Sequence, residues 1–330
     1  MTSSVLVPGS AGPAGINTIK SLRMAGYDGK ILATDSSSLS AGFFMADANE
    51  VIPEADDYTF MERLYAIVRR HKVGVLMPSS GFDIYPYSEN QKELAEMGAV
   101  AIVSDRDKLE ICRDKMLTFQ TLSGKHTLPF TTADSSKIPS FPVLAKPRFG
   151  KGSRGIVKID DESDLRYILS KRDDLVFQEY LPGTEYTIDV LSDMKRKPLM
   201  AVPRVRMQTK AGISTKGKVL TDLALEEECM EIAGEIGVRG PCCMQMKESS
   251  DGKLKLIEVN PRMGGGTIFT TLAGANFPGM LLDMIEGKQI SIPPISEITI
   301  IRYFEEFVFK HGEKRIRVGA NLLSKTGYRG

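Results

Sequence analysis

Short apolar runs alternate with amphipathic segments over the first hundred residues of the chain. The run SVLVP at residues 4–8 leads through a glycine-rich turn into a segment, 13–24, that carries Ile16, Ile19 and Leu22 on one side. The alternation continues with KILATD, DYTFMERLYAIVRRHK, VGVLMPS, SENQKELAEMG and VAIVS. Strands that alternate with helices form a parallel sheet covered by those helices. We therefore predict a first α/β domain over residues 1–105.

The pattern changes after residue 105. A helix is predicted at 105–124, then strands around 141–147, 155–159 and 174–181, with a helix DESDLRYILSK that begins with acidic and serine residues. Later runs alternate apolar and polar residues, and Asp251-Gly252 marks a hairpin between two of them. These strands are EYTIDVLS, PLMAVPRVRM, CCMQMKE, LKLIEVN and TIIRYFEEFVFK. The later part therefore predicts an α+β fold with an antiparallel sheet.

Charge balance limits the partners of the chain. Its 330 residues include 43 Lys and Arg against 42 Asp and Glu, so no overall field draws nucleic acid or an anionic membrane. The first residues lack a basic region followed by a long apolar core, and no segment reaches the apolar length of a bilayer span. We expect a cytoplasmic protein without nucleic-acid or membrane partners, in which any anion-binding site is local.

A first glycine cluster, GSAGPAG, lies between the first strand and the first helix. Its glycines stand at 9, 12 and 15, whereas the dinucleotide fingerprint G-x-G-x-x-G ending at Gly15 requires glycine at the position of Ser10. Asp35, about twenty residues on, leaves a ribose contact open. The alternative is that these glycines allow the helix to pack closely against its strand.

A second glycine cluster, RFGKGSRG, follows a strand that contains Lys146. Glycines allow backbone N–H groups to turn toward an anion, and interleaved cations add charge at the same place. The loop is not a P-loop, because no Gly-Lys-Ser/Thr leads into a helix. An exposed basic hairpin is the alternative. The anion-binding interpretation rests on Gly150, Gly152, Ser153 and Gly155, with Arg148, Lys151 and Arg154 among them.

Polar side chains occupy alternate positions on the strand LKLIEVN and just beyond it. Residues two apart on a strand share a face, so Glu258, Asn260 and Arg262 project together, and the hairpin brings Gln245 of the neighbouring strand to that face. Carboxylate and amide oxygens are ligands of the kind that Mg²⁺ prefers. Arg262 adds a forked donor suited to phosphate. A buried ion pair at the end of the strand is the alternative.

Taken in order along the chain, these motifs resemble the ATP-grasp superfamily. The resemblance is carried by Lys115 in CRDK, Lys146 in LAKP, RFGKGSRG, FQEYLPGTEYTIDVL, Gln245 and EVNPR. It is strongest to the carbamoyl-phosphate-synthetase-like branch, whose Rossmann-like pre-ATP-grasp domain the stretch VLVPGSAGPAGINTIKSLR resembles. The resemblance implies a pre-ATP-grasp domain at 1–105, a small lobe with the phosphate loop at 106–187 and a C-terminal lobe with the Mg²⁺ site at 188–330.

Each motif then has an implied role, with ATP between the two lobes. Lys115, Lys146 and the loop at 150–155 are implied to hold the phosphates. The segment Glu179, Tyr180 and Leu181 is implied to bind adenine, and Glu185 the ribose hydroxyls. Gln245, Glu258 and Asn260 are implied to coordinate Mg²⁺, a site whose oxygen ligands also suit Mn²⁺. Arg262 is implied to stabilise the transferred phosphoryl group, which makes Arg262 and Lys146 the implied catalytic residues.

The resemblance implies an ADP-forming ligase for small molecules. A carboxylate attacks the γ-phosphate to give an acyl phosphate, which an amine, or in some relatives a thiol, then opens. Positioning and electrostatics dominate such a reaction. Two alternatives remain open, namely a regulatory ATP-binding protein without turnover and a nicotinamide-dependent oxidoreductase. The sequence leaves the oligomeric state open, including a homodimer.

The substrate site is the part that the motifs specify least. The segment PRVRMQTKAGISTKGK concentrates basic residues after a strand, and Arg204 and Arg206 alternate so that they share a face. We predict that these two arginines contact the substrate. A solvated loop without a ligand is the alternative for the rest of the segment.

Overall fold

The computed structural model describes residues 4–150 and 154–308, together with the backbone of residues 316–318. Its N-terminal part is a five-stranded parallel sheet with the spatial order β3-β2-β1-β4-β5. The elements in chain order are β1 (Ser4–Val7), α1 (Pro13–Met24), β2 (Ile31–Asp35), β3 (Ala48–Val51), α2 (Phe60–His71), β4 (Val73–Leu76), α3 (Ile84–Glu89), α4 (Gln91–Glu96) and β5 (Val100–Ala101). The predicted parallel sheet with covering helices is confirmed.

Two features of this sheet differ from the sequence prediction. Strand β3 has no counterpart in the prediction, because it is a four-residue edge strand, ANEV, whose residues are all at least partly exposed. The single helix predicted at 88–98 is divided into α3 and α4. Asn90 lies at the division, and its side-chain amide donates to the carbonyl of Pro86 at 2.8 Å, which ends α3.

The helix predicted at 105–124 is also two helices, α5 (Arg106–Arg113) and α6 (Lys115–Leu122). Asp114 between them has an extended backbone, and its carboxylate accepts from the N–H groups of Met116 at 2.9 Å and Leu117 at 3.3 Å. This is an N-cap, which competes with a continuous helix. The break places Lys115 at the start of α6, where its side chain reaches the cleft described below.

A four-stranded antiparallel sheet follows, with the order β6-β9-β7-β8. Its elements are β6 (Thr131–Thr132), β7 (Val143–Pro147), β8 (Val157–Ile159), α7 (Glu162–Leu169) and β9 (Leu175–Glu179). Asp161 caps α7 by accepting from the N–H groups of Ser163 and Asp164. Val143, Phe177 and Leu165 form the core between this sheet and α7.

The largest sheet has six antiparallel strands in the order β14-β13-β10-β11-β12-β15. Its elements, with the helices among them, are β10 (Glu185–Ser192), β11 (Pro198–Lys210), β12 (Ile213–Val219), α8 (Leu223–Ile236), β13 (Pro241–Glu248), β14 (Leu254–Asn260), α9 (Thr267–Leu272), α10 (Phe277–Ile285) and β15 (Thr299–Ile301). The predicted hairpin is present, with Gly252 at a φ of +81°. The predicted α+β part is thereby confirmed.

The C-terminal strand predicted at 299–310 is interrupted. β15 extends the six-stranded sheet, whereas β16 (Glu306–Val308) pairs with β17 (Ile316–Val318) in a separate two-stranded sheet. The predicted strand residues 309 and 310 lie outside the described residues. No helix in the described ranges combines the length and the apolar composition needed to cross a bilayer.

The N-terminal sheet packs against the C-terminal helices. Val7, Phe269 and Phe277 belong to one buried apolar cluster that joins the parallel sheet, α9 and α10. Two polar contacts of α1 support this docking. The Ser21 hydroxyl lies 2.8 Å from that of Thr271, and the Asn276 amide donates to the Ser21 carbonyl at 2.7 Å. The packing holds the loops of the parallel sheet beside the cleft between the other two sheets.

Candidate functional site

Two connected cavities lie between the four-stranded and six-stranded sheets. The smaller one, the inner chamber, has a volume of about 170 Å³. The larger one, the outer cleft, has a volume of about 870 Å³ and extends to the N-terminal loops that include Glu54 and Tyr85. Lys115, Gly150 and Glu258 line both cavities, so the cavities are continuous. The volume of the outer cleft falls in the range of small-molecule sites.

The oxygen-bearing side chains predicted as metal ligands lie on adjacent strands. Gln245 of β13 is the register partner of Glu258 of β14, and Cys243 is the partner of Asn260. Glu258 is partly buried, and within the described residues no hydrogen bond or ion pair engages its carboxylate. A half-buried carboxylate beside two amide oxygens is suited to a hard divalent cation. The three residues therefore fit Mg²⁺.

Arg262 follows this strand and turns back over it. Its Nη1 donates to the carbonyl of Met263 at 2.7 Å, and its Nη2 lies 3.5 Å from the Asn260 side-chain oxygen. The backbone N–H of Arg262 also donates to the Asn260 carbonyl at 2.8 Å. Arg262 lines the outer cleft next to the predicted metal ligands, as the strand pattern predicts.

Lys146 faces the same oxygens from the four-stranded sheet. Its side chain is only 6% exposed, and Nζ donates to the Gln178 side-chain oxygen at 2.5 Å. Burial lowers the pKa of Lys146 to about 8, and the carboxylates of Glu258 and Glu185 oppose that shift. A buried lysine with few partners suits a ligand that brings negative charge. This matches the predicted phosphate contact.

Lys115 lies beside Lys146 and faces the same carboxylate. Its pKa is lowered by burial, and the charges of Glu258 and Asp114 act in the opposite direction. Its Nζ lies 3.4 Å from the carbonyl of Gly150. Asp114 holds Arg148 through a bidentate pair, with donor–acceptor distances of 2.8 and 2.6 Å. The break between α5 and α6 therefore fixes both Lys115 and the start of the glycine loop.

The glycine loop is described at its two ends. Gly155 has a φ of +73°, and a Cβ there would lie 2.7 Å from Nη1 of Arg172. A Cβ on Gly150 would lie 3.2 Å from the Cβ of Pro147. Both ends thus pack closely on their surroundings, and Gly155 adopts a conformation that favours glycine. Gly152 and Ser153, which carry the middle of the predicted phosphate loop, lie outside the described residues.

The predicted adenine segment borders the inner chamber at the end of β9. Leu181 is buried. The Glu179 carboxylate is engaged by Nζ of Lys255 at 2.7 and 2.8 Å. The Tyr180 ring has Nζ of Lys158 at 5.1 Å from its centroid and Nζ of Lys247 at 5.9 Å. Because the Glu179 carboxylate is paired with Lys255, the groups of this segment that can bind an adenine base are its backbone N–H and carbonyl groups.

The predicted ribose residue, Glu185, is linked to one of the two predicted substrate arginines. Arg206 Nη1 donates to Glu185 Oε1 at 2.6 Å, and its Nη2 donates to the carbonyl of Gly212 at 2.6 Å. The structure therefore places Arg206 behind the predicted ribose position and ties it to the β11–β12 turn. It does not line either cavity.

Arg204, the other predicted substrate arginine, is buried in an ion pair. Its Nη1 and Nη2 lie 2.5 and 3.1 Å from the two oxygens of Asp189, and Thr270 donates to the same carboxylate at 2.6 Å. Both charged side chains are 2% exposed. The segment 264–266 covers the pair, since a Cβ on Gly266 would lie 2.8 Å from Nη2 of Arg204. Asp189 therefore satisfies the charge that was predicted to meet a substrate.

The first glycine cluster is accounted for by packing. A Cβ on Gly15 would lie 2.7 Å from the carbonyl oxygen of Gly9. The Asp35 carboxylate accepts from the backbone N–H groups of Ala11 at 2.7 Å and Ser37 at 3.0 Å. The carboxylate that a nicotinamide cofactor would require for its ribose is thus occupied by the loop itself.

Two polar residues that line the inner chamber were not predicted. Gln178 positions Lys146, and Lys247 is the register partner of Glu185. Lys247 stands two residues after Gln245 on β13, so strand periodicity offers a signal for it. Gln178 offers no comparable signal, because its role depends on which strand pairs with β7.

Two family models match the chain. The model described as "ATP-grasp in the biosynthetic pathway with Ter operon" matches residues 171–307. The model described as "PylC-like, N-terminal domain" matches residues 10–103. The chain is also 24% identical to the carbamoyl phosphate synthase large chain of Clostridium botulinum (strain Loch Maree / Type A3), in a match that covers 76% of this chain and 25% of that protein. The chain thus spans about a quarter of the length of this relative.

Solved structures with the same fold include two kinds of enzyme. The biotin carboxylase domain of 2-oxoglutarate carboxylase from Hydrogenobacter thermophilus, in complex with MgADP and bicarbonate, superposes with a TM-score of 0.72 at 18% identity, covering 89% of this chain and 72% of that one. The L-amino acid ligase of Bacillus licheniformis gives a TM-score of 0.63 at 16% identity, covering 85% of this chain and 73% of that one. At these identities the likeness concerns the fold.

Proposed function

We propose that this chain, which matches an ATP-grasp family model over residues 171–307 and resembles carbamoyl phosphate synthase large chains, is an ADP-forming ligase that joins a small carboxylate to an amine. The observation that carries this proposal is that the buried Lys146 and Glu258 line one cavity, and that no hydrogen bond or ion pair engages the Glu258 carboxylate within the described part of the chain. A structural ion pair would leave neither group available for a ligand. An anionic nucleotide with its metal engages both.

In the proposed complex, the base and ribose occupy the inner chamber. Leu181 provides an apolar wall, the backbone near Tyr180 contacts the base, and Glu185 accepts from the ribose hydroxyls. Arg206 holds Glu185 in place through its 2.6 Å contact. Lys247 adds positive charge on the same face, opposite Glu185 in the strand register.

The phosphates then extend across Lys146 and Lys115 toward the outer cleft. With a pKa of about 8, Lys146 carries its proton at neutral pH, and it can donate to a phosphate oxygen when it turns away from Gln178. Gln245, Glu258 and Asn260 would hold Mg²⁺, which would supply positive charge beside the phosphate oxygens. Arg262 faces the same place from the outer cleft and stabilises the charge on the transferred group.

The proposed reaction has two steps. A carboxylate oxygen of the substrate attacks the γ-phosphorus, the bond to the β-γ bridging oxygen breaks, and an acyl phosphate and ADP form. An amine then attacks the acyl carbon, phosphate leaves, and the amine loses a proton to give the amide. A thiol in place of the amine gives a thioester by the same steps.

Acid-dependent trapping tests this proposal. The protein is incubated with ATP, Mg²⁺, hydroxylamine and pools of small carboxylic acids, and hydroxamate and phosphate are measured together. Hydroxylamine reacts with an acyl phosphate whichever amine is the natural one. We expect hydroxamate formation that depends on the acid and is lost in Glu258→Gln, but retained in the exposed control Glu227→Gln on α8. Tight ATP binding without any acid-dependent product would favour a regulatory ATP-binding protein instead.

A further inference from the structure

The end of the outer cleft away from the metal ligands has no role in the proposed binding of ATP. It is formed by the loop before α3, by α5 and by the start of the glycine loop, and Phe82, Tyr85, Arg113 and Phe149 line it. Aromatic rings beside an arginine form a surface that recognises a planar or apolar group together with an anion. This region is therefore a candidate substrate subsite.

The Arg113 guanidinium lies over two aromatic rings. The centre of its guanidinium is 5.5 Å from the Tyr85 ring centroid and 5.3 Å from the Phe149 ring centroid. Such contacts use the faces of the guanidinium and orient it, while its N–H groups point outward in the plane. The side chain is 43% exposed. Arg113 is thus oriented by its neighbours and still accessible from the cleft.

Glu110, the acidic partner of Arg113, makes a closer ion pair with Arg106. Glu110 Oε1 lies 3.4 Å from Nη1 of Arg113, but only 2.8 Å from Nη2 of Arg106. Arg106 also pairs with Glu89 at 2.8 Å. The charge of Glu110 is therefore directed mainly to Arg106, and Arg113 retains donors for another anion.

Other arginines of the outer cleft are already committed. Arg172 forms a bidentate pair with Asp174, with distances of 2.8 and 2.6 Å. Arg262 belongs to the proposed phosphoryl-transfer site, and Arg154 belongs to the proposed phosphate loop. Among the described residues that line the cleft, Arg113 is the arginine that neither a close ion pair nor the triphosphate accounts for.

The position of Arg113 sets the spacing of a ligand. It stands two residues before Lys115, so their Cα atoms are at most about 7 Å apart, and Lys115 and Glu258 line the same two cavities. A substrate whose reacting carboxylate lies near Glu258 can therefore reach Arg113 through a short spacer. To use the remaining N–H donors of Arg113, the substrate needs an anionic group at the end opposite its reacting carboxylate.

We propose that the carboxylate substrate carries a second anionic group, which Arg113 binds while Tyr85 and Phe149 contact the spacer between the two groups. This inference rests on the proposed ligase function for the identity of the first carboxylate. The second group is a carboxylate or a phosphate, since both accept two parallel hydrogen bonds from a guanidinium.

Matched acids test the inference by turnover. Pentanedioate is compared with pentanoate, hexanedioate with hexanoate, and 3-phosphonopropanoate is the phosphorus-containing arm, all in the hydroxylamine assay. We expect kcat/KM for the dianions to exceed that for the matched monoanions by about 10-fold or more, as about 1.4 kcal/mol of charge-assisted hydrogen bonding gives. In Arg113→Gln this preference should disappear through KM for the acid, with KM for ATP unchanged. Arg166→Gln, an exposed arginine on α7, should retain the preference.

Calorimetry separates this inference from the proposed function. Pentanedioate and 3-phosphonopropanoate are titrated into the protein with Mg²⁺ and a nonhydrolysable ATP analogue. Binding of either dianion that weakens about 10-fold in Arg113→Gln supports the subsite even if no hydroxamate forms, in which case only the ligase proposal fails. Equal affinity for dianions and monoanions, unchanged dianion affinity in Arg113→Gln, or no binding of either dianion overturns the inference.

Discussion

Gln245 and Glu258 are register partners across β13 and β14, and the charge of the Glu258 carboxylate acts on Lys115 at the start of α6 and on Lys146 of β7, where it opposes the lowering of their pKa values by burial. The β13–β14 hairpin thus positions a carboxylate that affects the pKa values of two lysines. The hairpin fixes the oxygen donors on one side of the cavity, and the pKa values of Lys115 and Lys146 respond to Glu258 on the other. A metal-loaded triphosphate would separate and neutralise these charges.

Glu258→Gln should abolish turnover while leaving the fold intact. The substitution keeps the shape of the side chain and removes one charge from the metal site, so we expect kcat to fall by about 100-fold or more, an effect of roughly 3 kcal/mol. Phosphate release at increasing Mg²⁺ concentration measures it. Because no ion pair engages Glu258 among the described residues, the urea midpoint should match that of Glu227→Gln. Normal turnover in Glu258→Gln would exclude it as a metal ligand.

As the pH rises through the pKa of Lys146, ATP affinity should fall while the contribution of Lys146 to the free energy of unfolding rises. Its pKa is about 8 in the fold against an ordinary value of 10.5. Between these values the unfolded chain binds more protons, so the contribution of Lys146 to the free energy of unfolding rises with pH. Over the same interval the folded lysine loses the charge that holds phosphate, so affinity for a nonhydrolysable ATP analogue should fall.

Lys146→Gln is the control for this titration. In that variant, analogue affinity should be lower at pH 7 and should lose the component that titrates near pH 8. Calorimetric titrations between pH 7 and pH 9.5 measure both proteins. An affinity that declines equally in both would assign the pH dependence to another group.

The glycines at 264–266 should respond differently to alanine. A Cβ on Gly264 would lie 2.8 Å from Cys243 Sγ, and one on Gly266 would lie 2.8 Å from Nη2 of Arg204, whereas the nearest atoms to one on Gly265 are 3.7 Å away. Overpacking of this kind costs about 1–3 kcal/mol. We expect Gly264→Ala and Gly266→Ala to lower the free energy of urea unfolding by that amount and Gly265→Ala to leave it nearly unchanged. Equal losses of unfolding free energy at all three positions would show that steric overlap of the added Cβ is not the cause.

The Arg204–Asp189 pair should be strongly coupled. Arg204→Met leaves a buried carboxylate without its cation and should cost about 3–5 kcal/mol, and the double variant with Asp189→Leu should recover much of that loss. Arg172→Met, at an exposed pair, is the control and should cost no more than about 1 kcal/mol. A double-mutant cycle by urea unfolding measures the coupling. Additive losses would mean that the ion pair is not the source of the effect.

Strand periodicity correctly predicts that Gln245 and Glu258 share a face of the β13–β14 hairpin. It does not predict that Arg204 is buried. Arg204 and Arg206 share a face with Glu185 and Asp189, as alternation on β10 and β11 requires. The burial of Arg204 depends on Gly266 and Thr270, which lie more than sixty residues later in the chain. The alternation of residues along one strand does not show which distant segment will cover a side chain. The prediction therefore assigned substrate contacts to Arg204, which is buried against Asp189, and to Arg206, which is paired with Glu185.

The break at Asp114 illustrates a second limit. The sequence predicts one helix over residues 105–124, whereas the structure divides this segment into α5 and α6. The N-cap at Asp114 competes with continuation and also holds Arg148, a contact with a residue 34 positions later in the chain. Capping residues of this kind are recognisable in sequence, but the tertiary partner that favours the break is not. The consequence for the site is large, because the break positions Lys115.

A crystal structure with Mn²⁺ and a nonhydrolysable ATP analogue tests the central claim most directly, since the anomalous signal of manganese locates the metal. We predict a manganese peak bridging phosphate oxygens and the side-chain oxygens of Glu258 and Asn260, at about 2.0–2.3 Å from each, with Lys146 released from Gln178 onto a phosphate. A triphosphate bound elsewhere, or a metal that Glu258 does not touch, would contradict the account.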